Sequence, residues 1–71
     1  MGKVLHIDIN SDYIKLEQFL KLIDLVSSGG EAKLFILNND ILVNNIIEKR
    51  RGRKLYKEDQ IFIDGQLYKI C

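Results

Sequence analysis

Proline is absent from this chain, cysteine and histidine occur once each, and no apolar run approaches a membrane span of roughly 20 residues. The lone cysteine, Cys71, can close no intramolecular disulfide and build no cysteine-based metal cluster. As the last residue it reads as a frayed terminal thiol. The lone histidine, His6, belongs to no Ser, His and Asp grouping that could support nucleophilic catalysis, and no metal-ligand spacing occurs. The expectation is therefore a protein that is not an enzyme and uses no metal or cofactor. The N-terminus lacks the apolar stretch and cleavage site of a signal peptide, which makes the cytoplasm the expected compartment and gives no reason to expect a membrane partner. No internal repeat, low-complexity tract or linker is visible, so residues 1–71 read as one domain, expected to act as a monomer. A chain this short buries only about 60% of the surface its unfolded form exposes, which leaves little room for an enclosed active site.

Hydrophobic residues make up 46% of the chain and charged residues 30%, the balance of a globular protein rather than a disordered one. The net charge of +1 hides an uneven distribution. Lys49, Arg50, Arg51, Arg53, Lys54 and Lys57 put +6 into one stretch that contains no acid before Glu58, so the rest of the chain sums to −5. Clustering matters more than the total, because a charged surface acts on a partner over a Debye length of about 8–10 Å.

Val4 to Ile9 alternates, with Leu5, Ile7 and Ile9 on one side and His6 and Asp8 on the other, which is the period of a half-buried strand. After the turn cluster Asn10-Ser11-Asp12 the period changes. Leu16, Phe19, Leu20, Ile23 and Val26 form the stripe of an amphipathic helix starting near Lys15. Ser28 and Glu31 fit a capping box that opens a second helix of about ten residues, with Ala32, Phe35 and Ile36 on its apolar side. Asn38-Asn39-Asp40 should end it through a left-handed residue. Ile41-Leu42-Val43 and Ile46-Ile47-Glu48 read as a hairpin turning at Asn44-Asn45; Lys57 to Gln60 reads as a turn. Ile61-Phe62-Ile63 and Gln66 to Ile70 read as a second hairpin, turning at Asp64-Gly65. The order β-α-α-β-β-β(β) predicts an α+β fold with two packed helices against a small, mostly antiparallel sheet.

Three stretches also resemble a known family. Lys15-Leu16-Glu17-Gln18-Phe19-Leu20-Lys21, Ser28-Gly29-Gly30-Glu31-Ala32-Lys33 and Ile41-Leu42-Val43-Asn44 are similar to the RNA-binding domain first described in the small-subunit ribosomal protein S-four, the alpha-L motif. Arg50-Arg51-Gly52-Arg53-Lys54-Leu55-Tyr56 looks most like its stand-alone bacterial branch, the YaaA-like and YbcJ-like proteins. The resemblance is strongest over residues 15–63. Gly29 stands where family members commonly carry a basic residue, and Asn44-Asn45 where they commonly carry Asn-Gly. The resemblance implies a positive surface that grips structured RNA, ribosomal RNA or a ribosome-assembly intermediate, with the ribosomal subunit as a partner. Residue by residue it carries over to Lys15, Lys21, Lys33, Arg50, Arg51, Arg53 and Lys54; Lys49 joins them as part of the basic run.

The chemistry agrees, since the arginine fork binds phosphate bidentately while lysine acts as a point charge. A basic run read without the resemblance is more simply a solvated loop; on either reading Arg50, Arg51 and Arg53 are expected to be replaceable, even together by Glu, with the fold surviving. Gly29-Gly30 either exposes helix amides to a phosphate or merely permits a tight turn. Tyr56 either stacks on a base or packs over the adjacent strand. Two other readings of the basic segment stand beside RNA binding: an adaptor surface that docks on an acidic protein, and duplex DNA binding.

Overall fold

Positive φ at Asn44 (52°) and Asn45 (70°), and again at Asp64 (49°) and Gly65 (80°), turns the chain back on itself twice. Both are the paired left-handed positions of a two-residue hairpin turn, which Asn, Asp and Gly accept most readily. The computed structural model describes residues 2–71. In chain order the elements are β1 (Val4–Ile7), β2 (Tyr13–Lys15), α1 (Leu16–Leu22), α2 (Gly29–Asn38), β3 (Ile41–Val43), β4 (Ile46–Ile47), β5 (Lys54–Tyr56), β6 (Gln60–Ile63) and β7 (Gln66–Ile70).

The α+β class holds, with a five-stranded sheet in the order β1-β7-β6-β3-β4. The two hairpins supply antiparallel β3–β4 and β6–β7, β3 joins β6 antiparallel, and β1 runs parallel to β7 at the edge. Asn44 ties the hairpins together: its side chain donates to Asp59 Oδ1 at 3.1 Å and accepts from Gln60 N at 3.0 Å. Ile41, Val43, Ile61, Ile63 and Ile70 are buried under the helices, where they meet Leu16, Phe19, Leu20, Ala32 and Ile36. Phe19 stands edge-on to Tyr68 of β7, with ring centroids 5.5 Å apart, and so pins α1 to the sheet.

Several boundaries differ from the sequence expectation. The first strand stops at Ile7, and Leu5 is exposed. Cys71 is not frayed: its N–H donates to Ile7 O at 2.8 Å, its carbonyl accepts from Ile9 N at 3.1 Å, and its thiol sits 3.5 Å from His6 Nδ1. Helix α1 ends at Leu22, so Ile23 and Val26 reach the core from outside the helix. The stop is a Schellman motif, with Leu25 N donating to Leu20 O and Asp24 N to Lys21 O around Asp24 at φ 63°. Aspartate in the position usually held by glycine hid that signal.

Ser28 caps α2 by accepting from Glu31 N at 3.2 Å, but the reciprocal arm reaches one residue further back, and Glu31 Oε1 accepts from the N–H and hydroxyl of Ser27. Those bonds, the Ser27 hydroxyl foremost, hold the Glu31 carboxyl below its usual range. At the other end Asn39 is extended (φ −133°, ψ 151°) rather than left-handed, and its side-chain amide donates to Phe35 O at 2.9 Å.

The largest departure is a second sheet. Between the first turn and α1, and again after the basic loop, three residues on each side pair as an antiparallel ribbon, β2–β5, where the sequence pattern predicted no strand.

Candidate nucleic-acid interface

Glu48 follows β4 and is the one buried charged residue among those described, 8% exposed. Its carboxylate is the hub of the basic segment. Oε2 accepts from Lys49 N at 3.1 Å, Arg50 N at 3.0 Å and Arg50 Nε at 2.9 Å; Oε1 accepts from Arg50 Nη2 at 3.0 Å and Arg53 Nη1 at 3.2 Å. A carboxylate stripped of water is costly unless its lone pairs are filled, and five N–H donors fill these. The Arg50 guanidinium is the main reason that the Glu48 pKa is lowered to about 2, and Glu48 in turn raises that of Arg50.

Two further anchors fix the segment. Helix α1 begins with unpaired N–H groups, and the basic loop supplies their acceptors: Leu16 N donates to Arg53 O at 2.8 Å and Glu17 N to Arg51 O at 2.9 Å. The loop itself closes through Arg53 N to Arg50 O at 3.2 Å. The second anchor is the β2–β5 ribbon, which places Ile14 opposite Leu55 on its inner side, where Leu55 is fully buried. The segment is thus a tethered element of the fold rather than a free solvated loop.

Alternation along the ribbon sends its other residues outward. Tyr13 faces Tyr56 and Lys15 faces Lys54 across the strands. The two tyrosine rings lie 5.9 Å apart at 53°, and Lys54 Nζ sits 4.8 Å from the centre of the Tyr13 ring. Arg50, Gly52, Arg53, Lys54 and Tyr56 line an open recess of about 450 Å³.

The eight residues singled out from sequence fall into three groups. Arg50, Arg51, Arg53, Lys54 and Lys15 come together around the loop and ribbon. The Arg50 side chain is 75% exposed, Arg53 is half-buried, and Arg51 lies 3.8 Å from Glu17 in a partly exposed pair. Lys49 points the other way. Its ammonium donates to Ile36 O at 3.0 Å and Asn39 O at 2.9 Å, close to Asp40, and so neutralises the C-terminal end of α2, whose own last turn has no cation. Lys21 and Lys33 are exposed on α1 and α2, and neither forms an ion pair among the described residues. Sequence reasoning missed Glu48 and Tyr13. The signal for Glu48 was available: it is the acid immediately before the basic run, at the end of an apolar hairpin.

A helix pair on a mostly antiparallel sheet, with an arginine-bearing loop seated against the start of the first helix, defines a small α+β domain. A family model described as "S4 domain" matches residues 7–71, and the chain belongs to this family of RNA-binding domains. It is similar to a protein of Bacillus subtilis (strain 168) described as "Probable ribosome maturation protein RlbA", 49% identical over 59 residues that cover 83% of each chain. That alignment extends well beyond the basic run, so the likeness belongs to the domain and not to a charged tract.

Proposed function

We propose that this protein binds structured RNA in the cytoplasm, either ribosomal RNA or a ribosome-assembly intermediate, through the face formed by Arg50, Arg51, Arg53, Lys54 and Lys15. The observation that carries this reading is the pairing of Lys15 with Lys54. Like charges placed directly opposite each other on a ribbon destabilise it, yet no carboxylate among the described residues pairs with either lysine. An anion shared between them relieves that repulsion, and an RNA phosphate with its neighbours on Arg50 and Arg53 does so along a continuous track. Lys49 contributes by holding α2 in place, and Lys21 and Lys33 extend the positive surface along the helices. The ribosomal context rests on the printed description of the Bacillus subtilis relative.

Recognition rather than reaction is the activity proposed. His6 and Cys71 come within 3.5 Å of each other on the β1 side of the sheet, but neither lines the recess. The protein acts as a monomer in this reading, with the ribosomal particle as its partner. Cross-linking in cells followed by sequencing of the attached RNA tests it: ribosomal reads concentrated at one site support it. Recovery of no RNA, with an acidic protein or duplex DNA cross-linked instead, replaces it by the adaptor or DNA reading.

A further inference from the structure

The recess beside the loop has walls of two kinds. Arg50 and Arg53, whose guanidinium groups are both held by Glu48, line it together with Lys54 and Tyr56, the two outward residues of β5. Gly52 adds no side chain to the lining. A volume of about 450 Å³ falls within the roughly 300–1,000 Å³ of ordinary small-ligand sites. Tyr56 keeps 48% of its surface exposed, and Tyr13 braces its ring from the facing strand at 5.9 Å between centroids, with Lys54 Nζ in turn over the Tyr13 ring.

A braced aromatic face beside fixed phosphate donors is the arrangement that single-stranded nucleic acid uses, where each base stacks on a ring and its phosphate lies on a cation. The geometry points to a pocket for one unpaired nucleotide, with its base stacked on Tyr56 and its phosphate held by Arg50, Arg53 and Lys54. Bases within a duplex have both faces covered by their neighbours. The pocket therefore selects RNA that offers a bulge, a loop or an unpaired flank over a continuous helix. This deepens the RNA-binding reading and rests on it.

The test uses an RNA hairpin with one bulged 2-aminopurine and the same hairpin without the bulge. The chain contains no tryptophan, so the fluorescence of the analogue is read without indole background. Wild type and Tyr56→Phe should quench the analogue and prefer the bulged hairpin, since stacking needs the ring and not the hydroxyl. Tyr56→Ala should lose the quenching and about 5- to 150-fold in affinity for the bulged hairpin, while its affinity for the paired hairpin stays within about twofold. Tyr56→Leu, which keeps apolar bulk without a π face, should behave like Tyr56→Ala and covers the case in which the smaller residue unsettles the ribbon. Equal affinity of the wild type for both hairpins without quenching overturns the pocket and leaves RNA binding standing, as does a bulge preference that survives in Tyr56→Ala and Tyr56→Leu. Failure of the wild type to bind either hairpin overturns both.

Discussion

Glu48 grips Arg50 through both carboxylate oxygens, with Nε on Oε2 at 2.9 Å and Nη2 on Oε1 at 3.0 Å, so an acid sits at the root of the basic segment. The acid lowers the total positive charge of the surface. In exchange it sets the direction of the guanidinium while leaving three quarters of the Arg50 side chain exposed. A long side chain ordered before binding loses less freedom on meeting its ligand, a saving of about 0.5–1.5 kcal/mol per immobilised side chain.

The same pair makes the domain sensitive to acid. The Glu48 pKa is depressed in the folded state, so its stabilisation is fully present above the ordinary value of 4.5 and is lost as pH falls through about 2. Thermal unfolding of the wild type and Glu48→Gln across that range should show the wild type more stable at neutral pH and the two curves converging toward pH 2. A constant gap between them would show that the Glu48 charge plays no part.

Lys49→Met should cost stability rather than RNA contact. It removes two hydrogen bonds and a charge from the C-terminal end of α2, an expected loss of about 1 kcal/mol or roughly 4–8 °C in Tm for a domain of this size. Filter binding well below Tm should find RNA affinity little changed. A selective loss of affinity at unchanged Tm would put Lys49 on the RNA.

Arg51 and Lys54 offer the cleaner test of the interface. Changing both to Ala removes exposed charge whose one ion pair, to Glu17, is long and partly solvated, so unfolding should move by no more than about 1 kcal/mol. Wild-type RNA binding should give a slope of about −3 to −5 in log affinity against log salt, and the double variant a slope shallower by about 1.4–1.8. A flat wild-type response would remove phosphate contact as the basis of binding. Changing Arg50, Arg51 and Arg53 together to Glu should instead damage the fold. Two of those positions hold Glu48, and acids placed there would face a buried carboxylate.

Asn45→Gly should stabilise the β3–β4 hairpin. Asn45 sits at φ 70° and makes no side-chain hydrogen bond among the described residues, so glycine relieves the left-handed strain. A gain of about 0.5–1 kcal/mol in urea unfolding is expected, partly offset by the greater freedom of the unfolded glycine chain. Gly65→Val, at φ 80° in the other hairpin, should destabilise by more than that gain. If both changes are neutral, φ at these turns does not govern stability.

Local pattern by itself determined both helices, both hairpins and the α+β class, because apolar period and turn-forming residues act within a few positions of one another. It also located the basic segment, since Arg50 to Lys54 are adjacent in the chain and must travel together. Tertiary structure decided what each of those charges does. The β2–β5 ribbon joins Tyr13–Lys15 to Lys54–Tyr56, segments too short to show a period, and it alone brings Lys15 to Lys54 and Tyr13 to Tyr56. Lys49 and Arg50 are neighbours in sequence, yet one ammonium closes the end of α2 while the other cation faces solvent under the hold of Glu48. Which way a charged side chain turns depends on where unpaired carbonyls and a buried carboxylate lie in space, and those positions are fixed only when distant parts of the chain meet.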